Sequence, residues 1–239
     1  MNVIVTGAAK GLGLAIAKDL LLDGYQVIGI GRKHSDETIA MVNDKSLPFS
    51  FYDFDLVNVE SIKDLVSLIT KQHGRIYGLV NNAAVGYDGV LATLHESQIS
   101  SLLKINVESP IVLTKYVLRS MLLNGEGRVI NIGSIIGSTG FNGLSVYGAS
   151  KAALEGFTKS LAREVGKANI TVNTVAPGYM STQMTSSLEG DKLLSIIRRS
   201  PLGALATVED VASIVTYLLS DKAKMITGAT FKVDGGSTA

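Results

Sequence analysis

Three side chains in the middle of the sequence have the types and spacing for acid–base work on an oxygen atom. Tyr147 and Lys151 lie at i and i+4 in Tyr147-Gly148-Ala149-Ser150-Lys151, so on a helix they share one face. A lysine ammonium close to a phenol stabilises the phenolate and lowers the tyrosine pKa. A tyrosine tuned in this way passes a proton to a carbonyl oxygen near neutral pH. Thirteen residues earlier, Ser134 closes the run Asn131-Ile132-Gly133-Ser134 at the end of a strand and can donate to the same oxygen. An exposed Tyr and Lys on a helix are common in isolation. The serine before them and a dinucleotide-type turn upstream give the pair its meaning.

That turn is Thr6-Gly7-Ala8-Ala9-Lys10-Gly11-Leu12-Gly13, between a strand and a helix. Glycines let the backbone bend tightly and approach a diphosphate, and the helix N-terminus offers free N–H groups. The spacing is G-x3-G-x-G, and no Gly-Lys-Ser/Thr follows, so it is not a P-loop. The second strand ends in Gly31-Arg32-Lys33 with no acid to bind a ribose 2′-hydroxyl. Gly31 leaves room there. Arg32 and Lys33, with Lys10, can instead hold a 2′-phosphate by charge-assisted contacts. Asp55, after the third strand, can accept from an adenine amine or serve as a helix cap. Asn81-Asn82-Ala83-Ala84 can tie neighbouring strands and shape a ribose pocket, or simply form a turn. Asn106 falls inside a helical pattern, where Asn is a poor fit and needs partners. Pro177-Gly178, followed by Thr182, ends the sixth strand beside the nicotinamide end of a cofactor laid across the sheet.

These groups need a scaffold, and the hydrophobic pattern supplies one. Short β-branched runs alternate with segments of helical period. Strands are expected at Asn2–Thr6, Gln26–Gly31, Pro48–Asp53, Ile76–Asn81, Arg128–Ile132, Ile170–Ala176 and Thr230–Val233. Helices are expected at Leu12–Asp23, Asp36–Asp44, Asn58–His73, Glu96–Asn124 (kinked at Pro110), Val146–Val165 and Val208–Ser220. Gly178–Leu205 is the longest stretch without a clear strand. Alternation of this kind predicts an α/β fold, a doubly wound parallel sheet with helices on both faces. Ligands then lie beyond the C-terminal strand ends, where the motifs cluster. No linker splits the chain, so residues 1–239 read as one domain.

Composition narrows the function further. Lys+Arg minus Asp+Glu is 22 − 21 = +1, too balanced to attract nucleic acid or an anionic membrane. There are no cysteines, which removes disulfides, thiolate nucleophiles and Cys-based metal sites. The 3 histidines are far apart, so no metal centre is expected. Met1-Asn2 runs straight into Val3-Ile4-Val5 without a signal-peptide pattern. No apolar run reaches the ~20 residues of a membrane span. A cytoplasmic protein is the expectation.

With these motifs in order, the chain resembles the short-chain dehydrogenase/reductase family along essentially its whole length. The likeness rests on TGAAKGLG (Thr6–Gly13), NNAA (Asn81–Ala84), Asn106, Ser134, YGASK (Tyr147–Lys151), PGYMST (Pro177–Thr182) and VDGG (Val233–Gly236). It implies a Rossmann-type, seven-stranded parallel sheet. Its catalytic residues would be Tyr147 as general acid/base, Lys151 tuning it and binding the nicotinamide ribose, Ser134 orienting the carbonyl, and Asn106 holding a relay water. Its cofactor contacts would be Gly7, Lys10, Gly11, Leu12, Gly13, Arg32, Asp55, Leu56, Asn82, Ala83, Tyr147, Lys151, Pro177, Gly178 and Thr182. Lys10 and Arg32 match the NADPH-preferring pattern. Within the family the chain most resembles bacterial 3-oxoacyl-acyl-carrier-protein reductases, through KSLARE (Lys159–Glu164), ITVNTVAPG (Ile170–Gly178) and the C-terminal run. That group is typically a homotetramer packed through the two long helices and the C-terminal segment, with a substrate lid here at about 181–200.

Departures bear on the substrate. Ala84 stands where the family usually has Gly, and Ala204, Ala206 and Val208 replace its usual Arg, Gly and Pro. The group's basic carrier-protein patch falls on Gly125-Glu126 and Ala168, with only Lys167 and Arg128 nearby and Arg198 and Arg199 on the lid to compensate. NADPH-dependent reduction of a 3-oxoacyl thioester is therefore set beside reduction of a free small ketone, sugar or polyol, with an acyl carrier protein as a doubtful partner. A non-catalytic dinucleotide sensor is the remote third reading.

Overall fold

The computed structural model describes residues 1–180 and 191–239. Its strands are β1 (Asn2–Thr6), β2 (Gln26–Gly31), β3 (Phe49–Asp53), β4 (Ile76–Asn81), β5 (Gly127–Ile132), β6 (Ile170–Pro177) and β7 (Thr230–Val233). Its helices are α1 (Gly11–Leu22), α2 (Asp36–Asn43), α3 (Ile62–His73), α4 (Glu96–Leu103), α5 (Ser109–Asn124), α6 (Ser145–Val165), α7 (Asp191–Arg199) and α8 (Val208–Leu219).

All seven strands are parallel, in the order β3-β2-β1-β4-β5-β6-β7. The order reverses between β1 and β4, and the crevice above that point is where a doubly wound sheet takes its ligand. Strands β4, β5 and β6 are buried along their whole length, because helices cover both faces. One core joins Ile16, Leu20, Val211, Val215 and Leu218 of α1 and α8 to one face of the sheet. The other joins Ile62, Val66, Leu113, Val117, Leu161 and Val165 of α3, α5 and α6 to the opposite face. Among the described residues no helix is long and apolar enough to cross a membrane.

The strands expected from the pattern form within a residue or so of their observed ends. The expected Glu96–Asn124 helix is corrected. It divides into α4 and α5 around a wide π turn at Lys104–Glu108, and Pro110 stands after that turn, in the first turn of α5. The backbone stays helical through this junction, so Pro110, which has no N–H, leaves a gap in the ladder just after the wide turn. Side chains hold the turn. Ser109 Oγ lies 2.5 Å from Leu56 O and 2.8 Å from Lys104 O, and the Asn106 amide is bonded to the loop after β4. The loose stretch Gly178–Leu205 contains α7, and half of the expected lid, residues 181–190, lies outside the described residues.

Candidate active site

The glycine turn is shaped by steric necessity. Gly7 and Gly11 have φ of +69° and +55°, the left-handed region that glycine occupies without strain. A Cβ on Gly13 would stand 2.2 Å from Gly7 O and 2.6 Å from Asn82 Nδ2. The turn is pinned by Gly7 N donating to Ile30 O at 2.7 Å. Helices α2, α4 and α8 begin with side-chain capping boxes, whereas no side chain caps α1 at Lys10. Its first N–H groups, at the buried Leu12 and its neighbours, therefore remain donors beside the crevice.

Thr6 and Asn82 lock the turn to β4. Thr6 Oγ1 accepts from Asn82 N and Ala83 N, both at 2.9 Å, and Asn82 Nδ2 donates to Thr6 O at 2.9 Å. Asn82 thus ties the two strands together, as read from the sequence. Arg32, Lys33 and Lys10 are exposed at the ends of β2 and of the turn. Gly31 has a structural reason of its own, since a Cβ there would meet Phe51 Cζ at 2.9 Å. Asp55 is not a helix cap: its Oδ1 accepts from Val57 N at 3.1 Å, and α3 begins seven residues on, at Ile62. Leu56 is buried.

The acid–base residues come together at the ends of β5 and α6. Ser134 follows β5, its Oγ accepts from Ile136 N at 3.2 Å, and its hydroxyl lies near enough to the half-buried Tyr147 to act on the phenol. Lys151 is 3% exposed. Its Nζ donates to Ile132 O at 2.9 Å and stands 5.6 Å from the centre of the Tyr147 ring. An ammonium has three donors, and this carbonyl uses one of them. Asn106, in the π turn, accepts from Val85 N (2.9 Å) and donates to Val85 O (2.8 Å) and Ser150 Oγ (3.2 Å). Ser150 Oγ in turn donates to Tyr147 O at 2.7 Å. Asn106 therefore joins three elements, the loop after β4, the π turn and α6, directly behind the tyrosine.

Burial, rather than the lysine, governs the protonation of this group. The Tyr147 phenol is pushed up to about 12 by loss of solvent, against the weaker pull of the Ser134 hydroxyl and with a small push from Asp88 and Tyr179. Lys151 is pushed down to about 8 by the same cause. The expected lowering of the Tyr147 phenol is thus corrected for this arrangement of residues: the net direction is upward, and loss of solvent is its largest cause. Near neutral pH the phenol keeps its proton and the lysine keeps its charge. That is the state a proton donor requires.

At the end of β6, Pro177 is buried and pairs with Val233. Gly178 N donates to Val233 O at 2.9 Å, and a Cβ on Gly178 would meet Asp234 Cβ at 2.8 Å. Thr182 lies outside the described residues. Arg128 cannot serve a carrier-protein patch. It is 2% exposed, donates to Gly127 O and Asn169 O, and pairs with Asp221 at 3.5 Å.

Sequence reasoning missed Ser150, whose signal was a small polar residue one turn after Tyr147 on the buried side. It also missed a polar rung across the sheet. Asn81, Asn131 and Thr174 are in register on β4, β5 and β6; Asn81 Nδ2 donates directly to Asn131 Oδ1 at 2.8 Å, and Thr158 bridges Asn131 to Thr174. The signal was a polar residue at the same height in each of three adjacent strands.

Comparison with known proteins agrees with this arrangement. A family model described as enoyl-(acyl carrier protein) reductase matches residues 7–238. The 3-oxoacyl-[acyl-carrier-protein] reductase FabG of Vibrio cholerae is 39% identical over 237 residues, 98% of this chain and 95% of that protein. The FabG of Haemophilus influenzae is 40% identical over 235 residues (98% and 96%), and that of Escherichia coli K12 38% over 237 residues (98% and 95%).

Proposed function

The chain belongs to the short-chain dehydrogenase/reductase family, oxidoreductases that use a nicotinamide dinucleotide, and from that premise we propose that it reduces the 3-keto group of a 3-oxoacyl thioester with NADPH. The observation that carries the reading is the pair of neighbouring hydroxyls, Ser134 and Tyr147, with the buried Lys151 behind them and the glycine cradle beside them. The relatives' shared name supplies the substrate class.

The chain's own residues fit a dinucleotide. The Gly7–Gly13 turn and the uncapped start of α1 suit a diphosphate. Lys151 has donors to spare for ribose hydroxyls, and Arg32 and Lys10 would meet a 2′-phosphate. When bound, the reduced nicotinamide supplies a hydride to a carbonyl carbon. The two hydroxyls would donate to the carbonyl oxygen, and as negative charge grows there Tyr147 passes its proton to that oxygen. One carbon–hydrogen and one oxygen–hydrogen bond form, and the ketone becomes an alcohol. Ser134 holds the oxygen in place, and Asn106 braces the wide turn and the backbone behind Tyr147. We read residues 1–239 as one domain with a lid at about 181–200, assembled as a homotetramer through α5 and α6.

A second reading, reduction of a free ketone, sugar or polyol, is favoured by one observation. The places of a carrier-protein patch hold Gly125, Glu126 and Ala168, and Arg128 is buried. Oxidation of NADPH on addition of acetoacetyl-coenzyme A is the expected outcome. Turnover of free ketones with silence on the thioester would favour the second reading.

The nucleotide preference has its own test. Arg32→Asp should weaken NADPH binding by about 30-fold or more and leave NADH nearly unaffected, since a lost charge-assisted contact costs about 1.5–3 kcal/mol and the new carboxylate repels phosphate. Dissociation constants for both nucleotides, read from nicotinamide fluorescence, check it. An unchanged NADPH-to-NADH ratio would mean that Arg32 does not meet the phosphate.

A further inference from the structure

The loops after β4 and β5 expose large apolar side chains, and the turn after β6 sets the half-buried Tyr179 against one of them. Phe141, in the loop after β5, is 39% exposed, and its ring stands 5.8 Å from that of Tyr179, in the turn after β6, at a tilt of 58°. Val90 and Leu91, in the loop after β4, are 60% and 55% exposed. Backbone contacts hold these loops together at the site. Gly89 N donates to Gly143 O at 3.0 Å, and a Cβ on Gly86 would touch the Tyr147 ring at 3.8 Å. Tyr179 also lies close enough to bear on the Tyr147 hydroxyl.

Large apolar side chains on loops gain nothing for the core by standing in solvent. Phe141 and Tyr179 touch each other beside a polar reacting centre, and such a pair suits contact with an apolar part of a ligand. Among the described residues, Asp88 and Arg199 both act on Tyr179, one of each sign. An uncharged tail needs no counter-charge and loses little on entering. The two rings touch each other, so a chain would lie across them rather than between them.

We propose that Phe141 and Tyr179 form an aromatic shelf for the alkyl tail of the substrate beyond its reacting carbonyl, so that the enzyme favours medium-length over short acyl groups. This rests on the proposed reduction of a 3-oxoacyl thioester and goes beyond it in naming the residues that read the tail. Full burial of a methylene is worth about fourfold in affinity, and contact on one side about half that free energy, or about twofold. Four further methylenes therefore amount to about tenfold or more.

The test is a series of 3-oxoacyl N-acetylcysteamine thioesters of four to ten carbons with NADPH. For the wild type, kcat/KM is expected to rise about tenfold or more from four to eight carbons. Phe141→Ser should flatten the rise, and Phe141→Leu should give an intermediate slope. NADPH binding to each variant verifies that it is folded, and if the serine variant is not, the leucine variant decides. A wild-type series that is flat while turnover is rapid would remove the shelf and leave the reductase reading intact. A Phe141→Ser loss equal at every length would overturn it too, because Phe141 would then order the loop or hold the thiol arm. Failure on every thioester, with turnover of small ketones, would overturn both the shelf and the proposed substrate.

Discussion

Tyr147→Phe is expected to lower kcat by about a thousandfold and to leave the dissociation constant of NADPH within about threefold. The variant removes one oxygen, the one beside Ser134, and keeps the ring that packs beside Gly86. A positioned general acid contributes about 10²–10⁴-fold. Ser134 would still accept from Ile136 N and could still orient the carbonyl, but its hydroxyl is a poor proton source. Single-turnover kinetics beside nucleotide titration separate chemistry from binding. A kcat within tenfold of wild type would assign the proton to Ser134 or to water. Because the phenol is pushed up to about 12, no loss of activity below pH 10 should come from Tyr147 ionising.

Lys151→Met is expected to abolish turnover and at the same time to raise the melting temperature at pH 7. Lys151 is buried, and its folded pKa is about 8 against an ordinary value of 10.5. Below pH 8 both states carry the proton, and burying the charge costs stability in full. Between 8 and 10.5 the unfolded chain binds more protons than the folded one, so stability rises with pH across that window. The depression corresponds to about 3 kcal/mol. Removing the donor to Ile132 O gives back about 1 kcal/mol, so the net gain is about 2 kcal/mol. Thermal melts of both proteins from pH 6 to 10.5 check this, with the difference shrinking as pH rises. A variant less stable at pH 7, or a difference independent of pH, would contradict the burial account. The same titration predicts that wild-type reduction weakens as pH rises through about 8, where Lys151 loses the charge that serves the site.

Both predictions follow from groups that the sequence made visible through local spacing. Tyr147 and Lys151 are one helical turn apart, and Ser134 ends an apolar strand, so chain order alone brings them together. The glycine turn was equally legible, because the backbone conformations of Gly7 and Gly11 are a local matter. What escaped was long-range. The wide turn that interrupts the Glu96–Asn124 segment was not visible beyond its proline, because Asn106 reaches Val85, 21 residues away, and Ser109 reaches Leu56. Gly31 read as space for a ligand, yet its nearest neighbour is Phe51, far off in sequence. Arg128 read as a surface cation, and only the packing of the loop before β6 and the end of α8 encloses it. The direction of the Tyr147 shift was missed for the same reason: an i, i+4 spacing reports proximity to a charge, and desolvation is set by everything packed around the pair. The exposed Phe141 carried no periodic signal at all, since it stands in a loop.

The central claim is that hydride and proton are delivered to the 3-keto group of an acyl thioester at the Ser134–Tyr147 pair. The most direct measurement supplies acetoacetyl-coenzyme A with NADPH deuterated at nicotinamide C4, on the transferred face, and determines the product by mass spectrometry. The account predicts 3-hydroxybutyryl-coenzyme A carrying one deuterium at C3, formed by the wild type and suppressed about a thousandfold in Tyr147→Phe. Recovery of unchanged thioester under conditions where the nucleotide is bound, or of a reduced product without deuterium at C3, would contradict it.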